Sequence, residues 1–201
     1  MSMQAAQSQV SEELYTELLG VTTSDEADRY LVRLILAARE GRGCLPLHLG
    51  LGERGFEALI ERSFSEMQRW FILHTKVPAA VVERSDTRSE LLSLRLDEQQ
   101  ELTVLLESWR NPDVDPVLSV IIATGCLGGD HLWRDLGFEN RDWLSEMMAF
   151  AYPQLKAKNS KDMKWKRFLY KQLCETGGNY VCRAPSCEEC AVYSDCFGPE
   201  A

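Results

Sequence analysis

Lysine is almost absent from the first 155 residues of this 201-residue chain, long apolar runs are missing, and no alternating apolar–polar stretch of useful length occurs. Each absence excludes something. The longest apolar run, around Val117 to Ala123, is interrupted by Ser119 and falls far short of the roughly 20 residues that span a bilayer. Met1 to Tyr15 holds neither a basic n-region nor an apolar h-region, so no secretory signal is expected and the chain reads as soluble and cytoplasmic. The formal net charge of −9 argues against general nucleic-acid binding, which needs a basic surface to displace counterions. Neither a nucleic acid nor a membrane is expected as a partner. No nucleophile–base constellation, phosphate loop or pair of carboxylates stands out, so the chain is not expected to be an enzyme.

What is present points to an all-α protein. Apolar residues make up 45% and charged residues 26%, the balance of a globular domain rather than a disordered or membrane chain. Thr23 and Glu26 have capping-box spacing ahead of Tyr30-Leu31-Val32 and Leu34-Ile35-Leu36, a helix that should end in Gly41-Arg42-Gly43. The segment Leu49-Gly50-Leu51-Gly52 opens a second helix through Phe56, Leu59, Ile60 and Phe64. Residues 76–86 read as a loop, and Thr87 with Glu90 as a capping box for one long helix to Trp109. Asp115-Pro116 reads as N-cap and first-turn proline of a helix through Ile122. Asp130 is the expected cap of a turn that ends at Gly137. Asn140 is the cap of a helix stopped by Pro153, and Ser160 the cap of a helix through Cys174, stopped by Gly177-Gly178. The expected organisation is a mobile stretch over residues 1–10, a helical domain over 11–176, and an irregular cysteine-rich module over 177–201 packed on it.

The chain has seven cysteines, and four of them lie within fifteen residues as Cys182-x4-Cys187-x2-Cys190-x5-Cys196. A secreted disulfide scaffold spreads an even number along the chain, so a metal site is the better reading. Thiolates are soft donors that select zinc, copper(I) or iron–sulfur clusters. Structural zinc is usually held by two C-x2-C knuckles, and only one is present. The first three cysteines repeat the C-x4-C-x2-C run of plant-type ferredoxins. Iron–sulfur is therefore favoured, with zinc left open. Cys174, eight residues before Cys182, has two readings: a small buried residue in a last helical turn, or an additional ligand. Cys44 and Cys126 read as plain core or loop cysteines.

Positive charge is concentrated in one place. Six of the seven lysines fall between Lys156 and Lys171, with Arg167, and only Asp162 opposes them; that segment carries +6 and the remainder −15. On a helical wheel Lys161, Lys164, Arg167 and Lys171 form one stripe, with Met163, Trp165, Leu169, Tyr170 and Leu173 opposite and Lys166 and Phe168 as exceptions. Such a face is either a solvated helix surface or a site for anion attraction or partner docking. His131, in Gly128-Gly129-Asp130-His131-Leu132-Trp133, is read as a structural residue in a first helical turn or as a further ligand at a labile metal position.

Taken together, Met163-Lys164-Trp165-Lys166-Arg167-Phe168-Leu169-Tyr170 with Gln172-Leu173-Cys174-Glu175 resembles the NifQ family of nitrogen-fixation proteins. So do the cysteine module, with Ala184-Pro185-Ser186-Cys187 inside it and Cys196-Phe197-Gly198 closing it, and Asp130-His131-Leu132-Trp133 with Asp135-Leu136-Gly137. The resemblance implies an iron–sulfur cluster able to incorporate molybdenum, with molybdate as the metal source. It also implies donation of that molybdenum to the scaffold and assembly proteins of the nitrogenase iron–molybdenum cofactor. Cys182, Cys187, Cys190 and Cys196 would then be the cluster ligands. The competing expectation is a helical protein whose terminal cluster or zinc is purely structural or serves electron transfer.

Overall fold

A computed structural model describes residues 26–74, 76–177 and 197–198. Among them all regular structure is helical. The elements are α1 (Glu26–Arg39), α2 (Gly52–Ser63), α3 (Glu66–His74), α4 (Ala79–Ser93), α5 (Leu96–Glu107), α6 (Val117–Cys126), α7 (Leu132–Asp135), α8 (Arg141–Ala151), α9 (Pro153–Lys158) and α10 (Trp165–Glu175). No helix among the described residues is long and apolar enough to cross a membrane. Thr23 lies outside the described residues.

The organising element is α6. Leu118, Ile121, Ile122, Ala123 and Cys126 are all buried, and so are the polar Ser119 and Thr124. A helix buried on every side belongs at the centre of a bundle. Its neighbours α5 and α7 pack on it directly, and α10 packs on α5. The other core contributors are Tyr30, Leu31, Leu34 and Ile35 of α1, Leu102 and Leu106 of α5, and Met147 and Met148 of α8. The buried hydroxyls are satisfied: Ser119 shares a 2.9 Å hydrogen bond with the Tyr152 hydroxyl, and Gln99 Nε2 donates to Thr124 Oγ1 at 2.6 Å. Gly50 has φ +82°, and a Cβ there would sit 2.0 Å from Thr124 Oγ1. Glycine lets the turn before α2 press against α6 in a conformation L side chains avoid.

Several local expectations hold. Helix α1 ends just before Gly41, and Asn140 Oδ1 accepts hydrogen bonds from the Asp142 and Trp143 amides at the start of α8. Others are corrected. Residues 79–93 form α4, so most of the loop expected over 76–86 is helix, and Thr87 lies mid-helix with its hydroxyl donating to Glu83 O rather than capping. The long helix to Trp109 is broken at Leu94–Arg95, because Arg95 turns out of the helical path to donate to Leu127 O at 2.7 Å and to Glu98.

Three caps also move. Pro116, expected in the first turn, occupies the N-cap position of α6, while Asp115 Oδ1 still accepts from the Val117 amide. His131 rather than Asp130 stands at the N-cap of α7, and the Asp130 side chain accepts from the adjacent His131 amide and pairs with Arg134 instead of capping the helix. Ser160 caps nothing: Pro153 opens the short α9, and α10 begins only at Trp165. Between them Asn159 closes a tight loop, its side chain accepting from Met163 N and donating to Met163 O, while Asp162 adopts φ +52°.

Candidate functional site

The four cysteines Cys182, Cys187, Cys190 and Cys196 lie outside the described residues. Their attachment points do not. Helix α10 runs to Glu175, and Phe197, the residue after Cys196, is half-buried and packs against the core. Chain on both sides of the module is thus tied to the helical body.

The other three cysteines divide cleanly. Cys126 is buried in α6, and burial pushes its thiol up to about 12. Cys44 is pushed up to about 12 by burial first and by the Asp135 carboxylate second. A thiol so far above neutrality stays protonated in the metal-free protein. This agrees with the reading of both as plain core or loop residues. Cys174 is half-buried in the last turn of α10. Among the described residues no three His, Cys, Asp or Glu side chains are grouped to hold a metal ion.

A polar seam lies between α10 and the turn before α7. Lys166 Nζ bonds Asp135 Oδ2 and donates to Gly128 O at 2.9 Å. The same Asp135 oxygen accepts from the Asp130 amide at 2.8 Å. Both charges are largely withdrawn from solvent, with side chains 16% and 8% exposed. A Cβ on Gly128 would meet the Asp135 carboxylate at 2.3 Å, so only glycine fits beside it. Close by, the Tyr170 hydroxyl donates to Glu98, which also takes two bonds from Arg95. Burial acts to raise the Glu98 carboxyl, but the bonds from Arg95 and Tyr170 bring it below its usual value. Burial and the Glu98 bond hold the Tyr170 phenol well above its own. The turn at 127–131 is therefore fixed at three points: Leu127 O by Arg95, Gly128 O by Lys166 and Asp130 N by Asp135.

That turn places His131 on a cleft of about 250 Å³ shared with Asp130, Lys164, Trp165, Lys166 and Arg167. The structure thus brings together His131, Lys164 and Arg167, and it disperses the rest of the expected cationic stripe. Lys161 lies in the loop before α10, because the helix starts later than the wheel assumed. Lys171 is on α10 but pairs with Glu175 at 3.8 Å. Lys166, set aside as an exception, is the best-anchored cation of the segment; its partner Asp135 lies 31 positions away, and no local pattern signals that pairing.

Residues 30–198 match the profile of the NifQ family. Over 174 residues the chain is 46% identical to Protein NifQ of Azotobacter vinelandii, covering 85% of this chain and 88% of that protein. It is 37% identical over 169 residues to Protein NifQ of Klebsiella pneumoniae, covering 84% and 96% respectively. No solved structure matches the chain.

Proposed function

The chain belongs to the NifQ family, and from that premise we propose that it is an iron–sulfur/molybdenum carrier that supplies molybdenum for nitrogenase cofactor assembly. The observation that carries this reading is the extent of the family match, which runs to residue 198 and so takes in all four cysteines of the module. In this reading the protein is a carrier rather than a catalyst, and its partners are the scaffold and assembly proteins of the iron–molybdenum cofactor.

The donor set fits an iron–sulfur cluster. Four thiols with gaps of four, two and five residues are soft ligands on short, uneven spacers. Cys44 and Cys126 belong to the packed helical body rather than to this run of four. Cys182, Cys187, Cys190 and Cys196 would hold the cluster, which when bound supplies sulfide-bridged iron on which molybdenum can become sulfur-ligated. Molybdenum itself is cargo, arriving as molybdate and leaving for the assembly proteins.

The helical body has a supporting part in this reading. Helix α10, fixed by Lys166 to Asp135 and by Tyr170 to Glu98, is the rigid stem from which the module departs. The anchored Phe197 returns the chain to the core.

Metal analysis of anaerobically purified full-length protein tests the reading. Iron with acid-labile sulfide, and molybdenum uptake on exposure to molybdate under reducing conditions, is the expected result. Zinc without iron would overturn the cluster. Iron that never takes up molybdenum would favour a structural or electron-transfer centre.

A further inference from the structure

We propose that the cleft between the start of α10 and the Gly129–Leu132 turn binds a tetrahedral oxyanion, with Lys164 and Arg167 as its charged contacts. That the physiological anion is molybdate rests on the carrier reading; that a tetrahedral oxyanion binds does not.

Charge accounting comes first. Of the charged groups on the cleft, Lys166 is neutralised by Asp135, and the exposed Asp130 is matched by Arg134 at 3.6 Å and by the His131 amide at 2.7 Å. The amide bond, with Arg134 next, keeps the Asp130 carboxyl below its usual value. Lys164 and Arg167 make no ion pair among the described residues. Their neighbours in the basic segment are otherwise engaged: Lys156 with Asp162, and Lys158 and Lys171 with Glu175. Two uncompensated cations therefore border a concave space in a protein of net charge −9.

The backbone adds donors at the same place. Helix α10 has eleven residues and no side-chain cap, so the amides of Trp165, Lys166 and Arg167 have no acceptor within the helix. These residues all line the cleft. The aligned peptide dipoles put partial positive charge at this end, an arrangement suited to anions. Leu132, Leu144 and Trp165 complete the lining beside the two cations. At roughly 30 Å³ per water, 250 Å³ holds about eight, which is room for a four-oxygen anion with part of its hydration. His131 lines the same space as a further polar contact.

The test is equilibrium dialysis of the full chain against molybdate at constant ionic strength, with amide chemical shifts followed at Trp165, Lys166 and Arg167. The variants are Lys164→Ala/Arg167→Ala and Lys76→Glu, which alter net charge by the same two units. The proposal expects shifts at those amides, at least tenfold weaker binding in the double variant, and affinity within twofold of the parent in Lys76→Glu. Equal weakening in both variants, or binding unchanged in the double variant, overturns it. Sulfate and phosphate form the comparison arm: if they occupy the cleft and molybdate does not, the molybdate assignment falls. If oxyanion binding survives in the double variant while molybdenum transfer to assembly proteins is lost, the face docks protein and the proposal is wrong. A cleft that binds oxyanion in a protein that never holds iron would sustain this inference while removing the carrier reading.

Discussion

The seam where α10 meets the turn before α7 and the corner where α4 meets α5 treat their exposed chemistry in opposite ways. In the seam the charges that tie α10 to its neighbours are paired: Lys166 with Asp135, and Glu98 with Arg95 and Tyr170. At the corner Leu91, Leu94 and Leu96 are 58%, 81% and 54% exposed, and Ser85 is the only buried residue of α4. Helix α4 is held by hydrogen bonds rather than by core. Leu47 N donates to Ser85 Oγ, His48 Nε2 bonds Ser89 Oγ at 3.0 Å, and Arg84 donates to Gly41 O. The seam is specified by residues that fit one way only, and the corner by residues that many others could replace. The position of the cleft depends on the seam and not on the corner.

The contrast breaks most directly at Asp135. Asp135→Ala leaves Lys166 as a mostly buried, unpaired cation and should cost about 3–5 kcal/mol of stability, read by denaturant unfolding; a loss below about 1 kcal/mol would show that the seam is ornamental. Gly128→Ala forces a methyl group into the Asp135 carboxylate and should cost about 1–3 kcal/mol. It should also change the amide shifts of Asp130 and His131, since both hang on that turn. Tyr170→Phe removes one hydrogen bond to a carboxylate and should cost about 1 kcal/mol. The Glu98 carboxyl should rise toward its ordinary value at the same time, because one of the bonds holding it down is gone.

Acidification sharpens the comparison from the other side. His48 accepts from the Gly52 amide through Nδ1, and burial, the leading cause, lowers its pKa below the ordinary 6.5. A histidine whose folded pKa is depressed contributes stability above the unfolded value, and that contribution is lost as pH falls below about 6.5. Protection factors at Leu47 and Gly52, taken relative to the intrinsic exchange rate at each pH, should therefore fall from pH 7 toward pH 5 while that of the Asp130 amide in the seam does not change in step. Leu94→Ser, at the far corner, should stay within about 0.5 kcal/mol of the parent. A larger destabilisation would mean that the corner is packed in a way its exposure does not suggest.

How much of this was readable from the chain follows the same division. The all-helical class, the end of α1 at Gly41, the Asn140 cap and a helix following Asp115-Pro116 through Ile122 are local signals, and they were legible. The late start of α10 was not, because it depends on Asn159 folding its amide onto Met163 and on Asp162 in a left-handed conformation. The run Asn159-Ser160-Lys161-Asp162 is rich in turn formers, and that was the available signal. The break at Leu94–Arg95 is set by a bond to Leu127 O, 32 positions away. For the site, spacing singled out the four cysteines as candidate ligands, which lie outside the described residues, and the cationic segment was visible as composition. Which cations share the cleft was settled by Asp135 claiming Lys166, a pairing made only by the tertiary fold.

The central claim is that the cysteine module carries molybdenum on a cluster held by its own thiols. It is tested most directly by the molybdenum-to-iron ratio of anaerobically purified protein after exposure to molybdate, compared with Cys187→Ala. The account predicts molybdenum together with iron in the parent, with both sharply reduced in the variant while the helical body remains folded by circular dichroism. Molybdenum and iron retained in full by Cys187→Ala would contradict it.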